Sequence, residues 1–353
     1  MSDLSVNGPF DAALTLARRN RDVSVQRLRE LVQIRSLTGE EGEAQSYIEK
    51  RLREIGAETL VAEPDVPALF ESFPHIAQYP THWQHDLILP YEQLPTYGAL
   101  RESGLETVLN YRGRPNVVGV FKGSGGGRSL IVNGHVDTVT IEPAADWTRD
   151  PFGGEINGDR LFGRGTSDMK GGVMAALMAL SFLRQAGGEL KGDVIFESVV
   201  NEEHAGNGTL DLVRRGFRAD GAIVLEPTHN RIAVSHAGGL YWQVTLAGVP
   251  RSPGARWEGG RLVGVSAIEK LPVVVSALLA LEEEYNSRAG ADREPGQAAF
   301  SLVIGKVAGG HYETVTAGQA VLRGGAYFSP AAGDILTVMQ SFRDCIAGAN
   351  AGD

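Results

Sequence analysis

Ser129-Leu-Ile-Val-Asn-Gly-His-Val-Asp-Thr138 decides the fold, because an apolar run of strand length breaks there into a glycine, a histidine and an aspartate. A run that is apolar at successive rather than alternate positions reads as a strand covered on both faces, the kind found in parallel sheets. Two further runs behave the same way. Val194-Ile-Phe-Glu-Ser-Val-Val200 ends in Asn201-Glu202-Glu203, and Ala222-Ile-Val-Leu225 ends in Glu226-Pro227. Between the first two runs, Arg164-Gly-Thr-Ser-Asp168 leads into a helical stretch from Gly171 to Gln185, with Met174, Leu177, Met178 and Phe182 on one stripe. This alternation predicts an α/β domain whose mostly parallel sheet is flanked by helices.

Side chains just past the carboxyl ends of parallel strands point into one crevice. Five carboxylates and one histidine occupy such places: His135, Asp137, Asp168, Glu202, Glu203 and Glu226. Imidazole and carboxylate suit zinc, manganese or cobalt, and a pair of divalent ions needs at least one carboxylate that bridges them. His135-x-Asp137 sets a metal-binding ring nitrogen beside a carboxylate that holds the other nitrogen. Adjacent glutamates raise each other's pKa unless a cation neutralises one of them, which leaves its neighbour as a base.

The linked motifs Gly134-His-Val-Asp-Thr138, Asp146-Trp-Thr-Arg-Asp-Pro-Phe152, Leu161-Phe-Gly-Arg-Gly-Thr-Ser-Asp-Met-Lys-Gly-Gly172, Asn201-Glu-Glu-His-Ala-Gly-Asn-Gly-Thr209 and Leu225-Glu-Pro-Thr228 follow one another in order. In this the chain resembles the dinuclear zinc family of acetylornithine deacetylase, succinyl-diaminopimelate desuccinylase, aminoacylase and glutamate carboxypeptidase. The resemblance implies that His135, Asp168 and Glu226 hold one metal, and that Asp168 bridges to a second metal bound also by Glu203. It implies that Asp137 orients His135, that Glu202 is the general base, and that the Asp168-Met169 peptide bond is cis. Two divalent ions are expected, zinc first with cobalt or manganese as alternatives. The second site is expected to be the weaker, since the family's last ligand, a histidine near the C-terminus, is not reached in this chain. The implied activity is that of an acetylornithine deacetylase-like amidohydrolase. It would cleave an N-acyl or peptide bond of a small amino-acid derivative or dipeptide by metal-hydroxide attack. The competing expectation is an inactive or split, metal-binding and dimer-forming remnant.

Before the motifs, Val23 to Gly56 reads as two helices separated by Arg35-Ser-Leu-Thr-Gly-Glu-Glu-Gly42. The second carries Ala44, Tyr47, Ile48, Leu52 and Ile55 at helical spacing, with Gly56 as a stop. Residues from about 62 to 114 are rich in Pro, Tyr and His and read as an insertion at the site's edge. His75, His82 and His85 fit no helix face and read as loop residues.

After the motifs the pattern changes. A strand from Leu240, a long helix from Gly264 to Tyr285 kinked at Pro272, strands at Ala299–Val307 and Ala320–Phe328, and a helix from Asp334 to Ala347 are predicted. That order is a ferredoxin-like split unit lacking its last strand. By resemblance it is an inserted lid and dimerisation domain, 239–353, following a catalytic domain, 1–238, whose C-terminal part is absent. Ser252, in Gly248-Val-Pro-Arg-Ser-Pro-Gly254, stands where family members often carry an oxyanion-stabilising histidine. Arg251 and His236 are the candidate substitutes at the substrate or oxyanion.

Composition sets the outer limits. At 353 residues, with 42% apolar and 22% charged residues, the chain is an ordinary globular one long enough for two domains. A formal charge of -10 argues against nucleic acid or an anionic membrane as partner, since phosphate binding needs clustered Lys and Arg. Cys345 is the only cysteine, which excludes an intrachain disulfide and a thiolate cluster. The N-terminus lacks the basic and apolar regions of a signal peptide. The apolar stretches Val173–Leu183 and Leu271–Leu281 are shorter than the roughly 20 residues a bilayer requires. A cytoplasmic location is expected.

Overall fold

The computed structural model describes residues 8–73, 97–102, 110–204, 206–233, 236–288 and 299–351. His75, His82 and His85 lie outside the described residues. The chain divides into two units, Met1–Arg231 and Ile232–Asp353.

Pro9 opens the first unit at the leading position of α1 (Pro9–Arg19), where its missing N–H costs nothing. Then come α2 (Arg21–Gln33), α3 (Gly42–Glu54), β1 (Glu58–Ala62), α4 (Val66–Ser72), α5 (Tyr97–Glu102), β2 (Asn116–Phe121) and β3 (Leu130–His135). A small hairpin, β4 (Glu155–Asn157) and β5 (Arg160–Phe162), precedes α6 (Lys170–Gln185), β6 (Val194–Val199), α7 (Asn207–Arg214) and β7 (Gly221–Val224). The five-stranded sheet runs β1-β2-β6-β3-β7. β3 pairs parallel with both β6 and β7, whereas β2 pairs antiparallel with both β1 and β6. The sheet is therefore mixed and not mostly parallel. An apolar run announces a strand, but its direction is set by the route of the connection, and β1 and β2 flank the segment read as an insertion.

Successive residues of β2 face opposite layers. Val117 joins Leu31, Ile48, Leu52, Val132, Val173, Leu177 and Phe196 in the core under α2, α3 and α6. Val118 packs with Val199 and Leu212 on the side of α7. β7 departs from expectation, because all four of its residues are exposed, Ile223 by 51% and Val224 by 60%. It closes one end of the sheet, and among the described residues no strand pairs with its outer edge.

The second unit contains β8 (Gly238–Ala247), a short hairpin of β9 (Trp257–Glu258) and β10 (Arg261–Leu262), α8 (Leu271–Arg288), β11 (Phe300–Gly309), β12 (Gln319–Phe328) and α9 (Ile335–Ala351). Its main sheet is antiparallel with order β11-β12-β8. Val274, Leu278, Phe300, Leu322, Val338 and Phe342 form its core. Pro272 does not kink a helix. It is the second residue of α8, where the chain has not yet begun to need intrahelical N–H donors, and the residues before it form a 3₁₀ turn, Ile268–Lys270. Gly324 lets Trp242 lie across the sheet, since a Cβ there would sit 1.9 Å from the Val303 carbonyl oxygen and 2.4 Å from the indole. A groove of about 690 Å³ runs along β8, lined among others by Trp242, Val244, Leu246, Val273, Phe342 and Ile346.

Candidate metal centre

β3 delivers His135 to the carboxyl end of the sheet. Gly134 makes the approach possible, because a Cβ at that position would lie 2.9 Å from Val173, 3.1 Å from Leu225 and 3.2 Å from Met169. The His135 ring is 1% exposed, and its Nδ1 lies 2.9 Å from the main-chain oxygen of Asp137. A carbonyl can only accept, so Nδ1 carries a proton, and in the neutral ring Nε2 is then the lone-pair nitrogen, facing outward. That Nε2 is buried and has no hydrogen-bond partner. Around it stand Asp168 Oδ1 at 3.4 Å, Glu202 Oε2 at 3.5 Å and Glu226 Oε1 at 3.6 Å.

The Asp137 carboxylate lies 3.5 Å from His135 Nδ1, farther than the carbonyl oxygen of the same residue, and accepts hydrogen bonds elsewhere. Oδ1 receives the Glu202 N–H at 3.1 Å, and Oδ2 receives the Glu203 N–H at 3.2 Å and the Thr38 hydroxyl at 2.8 Å. Asn201, at φ 62°, turns the chain off the end of β6 so that both amides reach one carboxylate. The Asp168-Met169 peptide bond is cis, and Met169 Sδ accepts the His135 N–H at 3.1 Å.

Charge in this cluster is heavily one-sided. Burial alone would lower the His135 imidazole, but Asp168, Asp137, Glu202 and Glu203 outweigh it and raise it to about 10. Burial first, with Asp168, Asp137 and Glu202 adding to it, pushes Glu203 up to about 7 against the pull of His135. Glu226 is raised by burial, and Asp168 is held low by its contact with His135. Donor atoms of His135, Asp168 and Glu203 lie within 4.8 Å of one another, as do those of His135, Glu202 and Glu226. An orphaned imidazole nitrogen ringed by carboxylate oxygens is a donor set that fits a divalent cation.

The six predicted side chains of the first unit come together. Arg251 and His236 belong to the second unit, where both are exposed and turn to local backbone. Arg251 Nη1 donates to the Pro250 oxygen at 2.9 Å, and His236 Nδ1 lies 2.7 Å from the Ala237 oxygen. Sequence reasoning missed Lys170, which is wholly buried and donates from Nζ to the oxygens of Leu31 at 3.1 Å and Ile34 at 2.7 Å. Burial pushes its pKa down to about 7. The available signal was its place on the apolar stripe of α6, three, four and seven residues before Val173, Met174 and Leu177.

The family model described as Peptidase family M20/M25/M40 matches residues 131–329, more than half of the chain. The chain belongs to this peptidase family. It is 39% identical over 184 residues to N-formyl-4-amino-5-aminomethyl-2-methylpyrimidine deformylase of Bacillus subtilis strain 168, covering 50% of this chain and 43% of the relative. It is 39% identical over 165 residues to succinyl-diaminopimelate desuccinylase of Methylocella silvestris, covering 42% of each. These matches span less than half the length of either relative. The fold is that of the di-peptidase Dug1p from Saccharomyces cerevisiae, with a TM-score of 0.61 at 15% identity over 97% of this chain and 77% of that one. No helix among the described residues is long and apolar enough to cross a membrane.

Proposed function

We propose that this chain carries the metal centre of an amidohydrolase that releases an acyl group from a small amino compound, in the manner of acetylornithine deacetylase. The observation that carries this reading is the partnerless His135 Nε2 with Asp168, Glu202 and Glu226 oxygens 3.4 to 3.6 Å away. His135, Asp168 and Glu226 would hold one divalent ion, and Asp168 with Glu203 a second, weaker one. Zinc is the first choice, with cobalt and manganese next. When bound, such ions polarise a carbonyl and lower the pKa of water. Glu202, 44% exposed, takes a proton from water and passes it to the departing amine. Asp137 holds the backbone of Glu202 and Glu203 in register, while its carbonyl fixes the His135 tautomer.

The names of the two relatives, a deformylase and a desuccinylase, support an acyl-amine substrate and leave the acyl group open. In this reading the second unit is a lid that also pairs two copies, a role supported by the outer edge of β8 and the groove beside it. Arg251 and His236 are its candidate oxyanion or substrate contacts. The test is turnover of a panel of N-formyl, N-acetyl and N-succinyl amino compounds and dipeptides with added Zn²⁺, Co²⁺ or Mn²⁺. Release of amine that depends on metal supports the reading. A metal-loaded chain inert across the panel favours the non-catalytic remnant. Light scattering measures whether copies pair.

A further inference from the structure

A strap of backbone between α2 and α3, residues 36–41, lies against the turn that follows β3. Ser36 Oγ donates to the Val136 oxygen at 2.6 Å, Thr138 N–H donates to the Ser36 oxygen at 3.0 Å, and Thr38 N–H donates to the Thr138 oxygen at 3.2 Å. Behind it Glu41, fully buried, accepts two bonds from the Arg114 guanidinium at 2.6 and 2.7 Å and one from the Gly39 N–H at 3.0 Å. The strap is thereby braced by hydrogen bonds, and it lies outside the residues matched by the family model. Its one side chain that reaches the carboxylate under the site is Thr38, buried, whose hydroxyl donates to Asp137 Oδ2 at 2.8 Å.

We propose that Thr38 is a positioning residue that sets the plane of the Asp137 carboxylate and, through it, the aim of Glu202 and Glu203. Rotation of a carboxylate about its last torsion is soft, so the carboxylate needs a donor to fix it. The two backbone amides, at 3.1 and 3.2 Å, are longer bonds than the one from Thr38, and they belong to the residues being positioned. Thr38 comes from a different, independently braced segment. It therefore acts as the reference against which the turn after Asn201 is set. The consequence for metal rests on reading the cluster as a metal centre, whereas the consequence for the two amides does not.

The experiment compares the wild-type chain with Thr38→Val, which keeps the shape and removes the hydroxyl, and Thr38→Ser, which keeps the hydroxyl. In the metal-free chain, hydrogen exchange of the Glu202 and Glu203 amides is expected to speed up by about tenfold or more in Thr38→Val, with Val132 and Phe196 amides unchanged. Zn²⁺ affinity, read by chelator competition, is expected to fall by about 10- to 100-fold. Thr38→Ser is expected to restore both, a rescue that a merely space-filling role would not produce. Unchanged exchange at both amides in Thr38→Val, or failure of serine to restore it, overturns the proposal. If valine is not accommodated, Thr38→Ala is read in the same way. A wild-type chain that holds no Zn²⁺ sinks the metal reading alone, and the exchange rates still decide the role of Thr38.

Discussion

Glu202 and Glu203 are neighbours on one turn and differ in environment: the first is open to solvent, while burial raises the second to about 7. If the first is the base and the second a ligand, their amide variants separate. Glu202→Gln is expected to lower turnover by at least about two orders of magnitude with metal content preserved. Glu203→Gln is expected to lower the metal-to-protein ratio after dialysis. Near-normal turnover in the first variant would exchange the two roles. That His135, Glu202, Glu203 and Glu226 cluster was legible in the sequence because each follows an apolar run, and a strand end fixes where a side chain goes. The hydrogen bonds were not. That the carbonyl of Asp137 rather than its carboxylate holds the His135 ring, and that Thr38 reaches Asp137, depend on contacts 99 positions apart in the second case, which no local pattern encodes.

Helices α2 and α3 are joined by a polar link, in which Tyr47 donates its hydroxyl to Glu30 Oε2 at 2.8 Å beside the Arg27 donor at 3.0 Å. Burial, then the bond to Glu30, raises the Tyr47 phenol to about 12. The folded chain thus keeps that proton more tightly than an unfolded one, whose tyrosine titrates near 10. The stabilisation is whole below pH 10 and is lost as the pH climbs through about 12. Tyr47→Phe is expected to cost about 1 to 3 kcal/mol at pH 7 and to flatten the fall in stability on the alkaline side, measured by urea unfolding at several pH values. In the second unit, Gly324→Ala drives a methyl into the Val303 carbonyl and the Trp242 ring, and about 1 to 3 kcal/mol of destabilisation is expected from the same measurement. At this scale the helices were legible from their apolar stripes, and α8 was expected over Gly264–Tyr285 but runs from Leu271 to Arg288 without the kink. β1 and β2 were not read. Glu58–Ala62 alternates weakly, and a single edge pairing leaves little trace in composition.

The two units have separate cores, one around Leu31, Val132 and Phe196 and the other around Leu278, Phe300 and Leu322. All six side chains of the candidate metal centre belong to the first. Calorimetry is therefore expected to resolve two transitions, of which added Zn²⁺ raises one and leaves the other in place, since a ligand stabilises only the unit that binds it. A single transition, or an equal shift of both, would contradict this division. The chain divides between Arg231 and Ile232, whereas the change of pattern in the sequence begins near Gly239. The mixed direction of the first sheet was not legible, because it follows from where the chain travels between strands.

One consequence of β7 concerns what the molecule does in a crowded test tube. A short strand with Ala222, Ile223 and Val224 exposed, and with an outer edge that no strand pairs with among the described residues, is a template on which another strand can nucleate. Growth from that end adds sheet to sheet, so turbidity should climb steeply with protein concentration and with kosmotropic salt, which strengthens apolar burial. Ile223→Lys puts a charge on the growing end, while none of the six site side chains is altered. The variant should stay clear at concentrations where the parent clouds, and shared turbidity in both would place the sticky surface elsewhere.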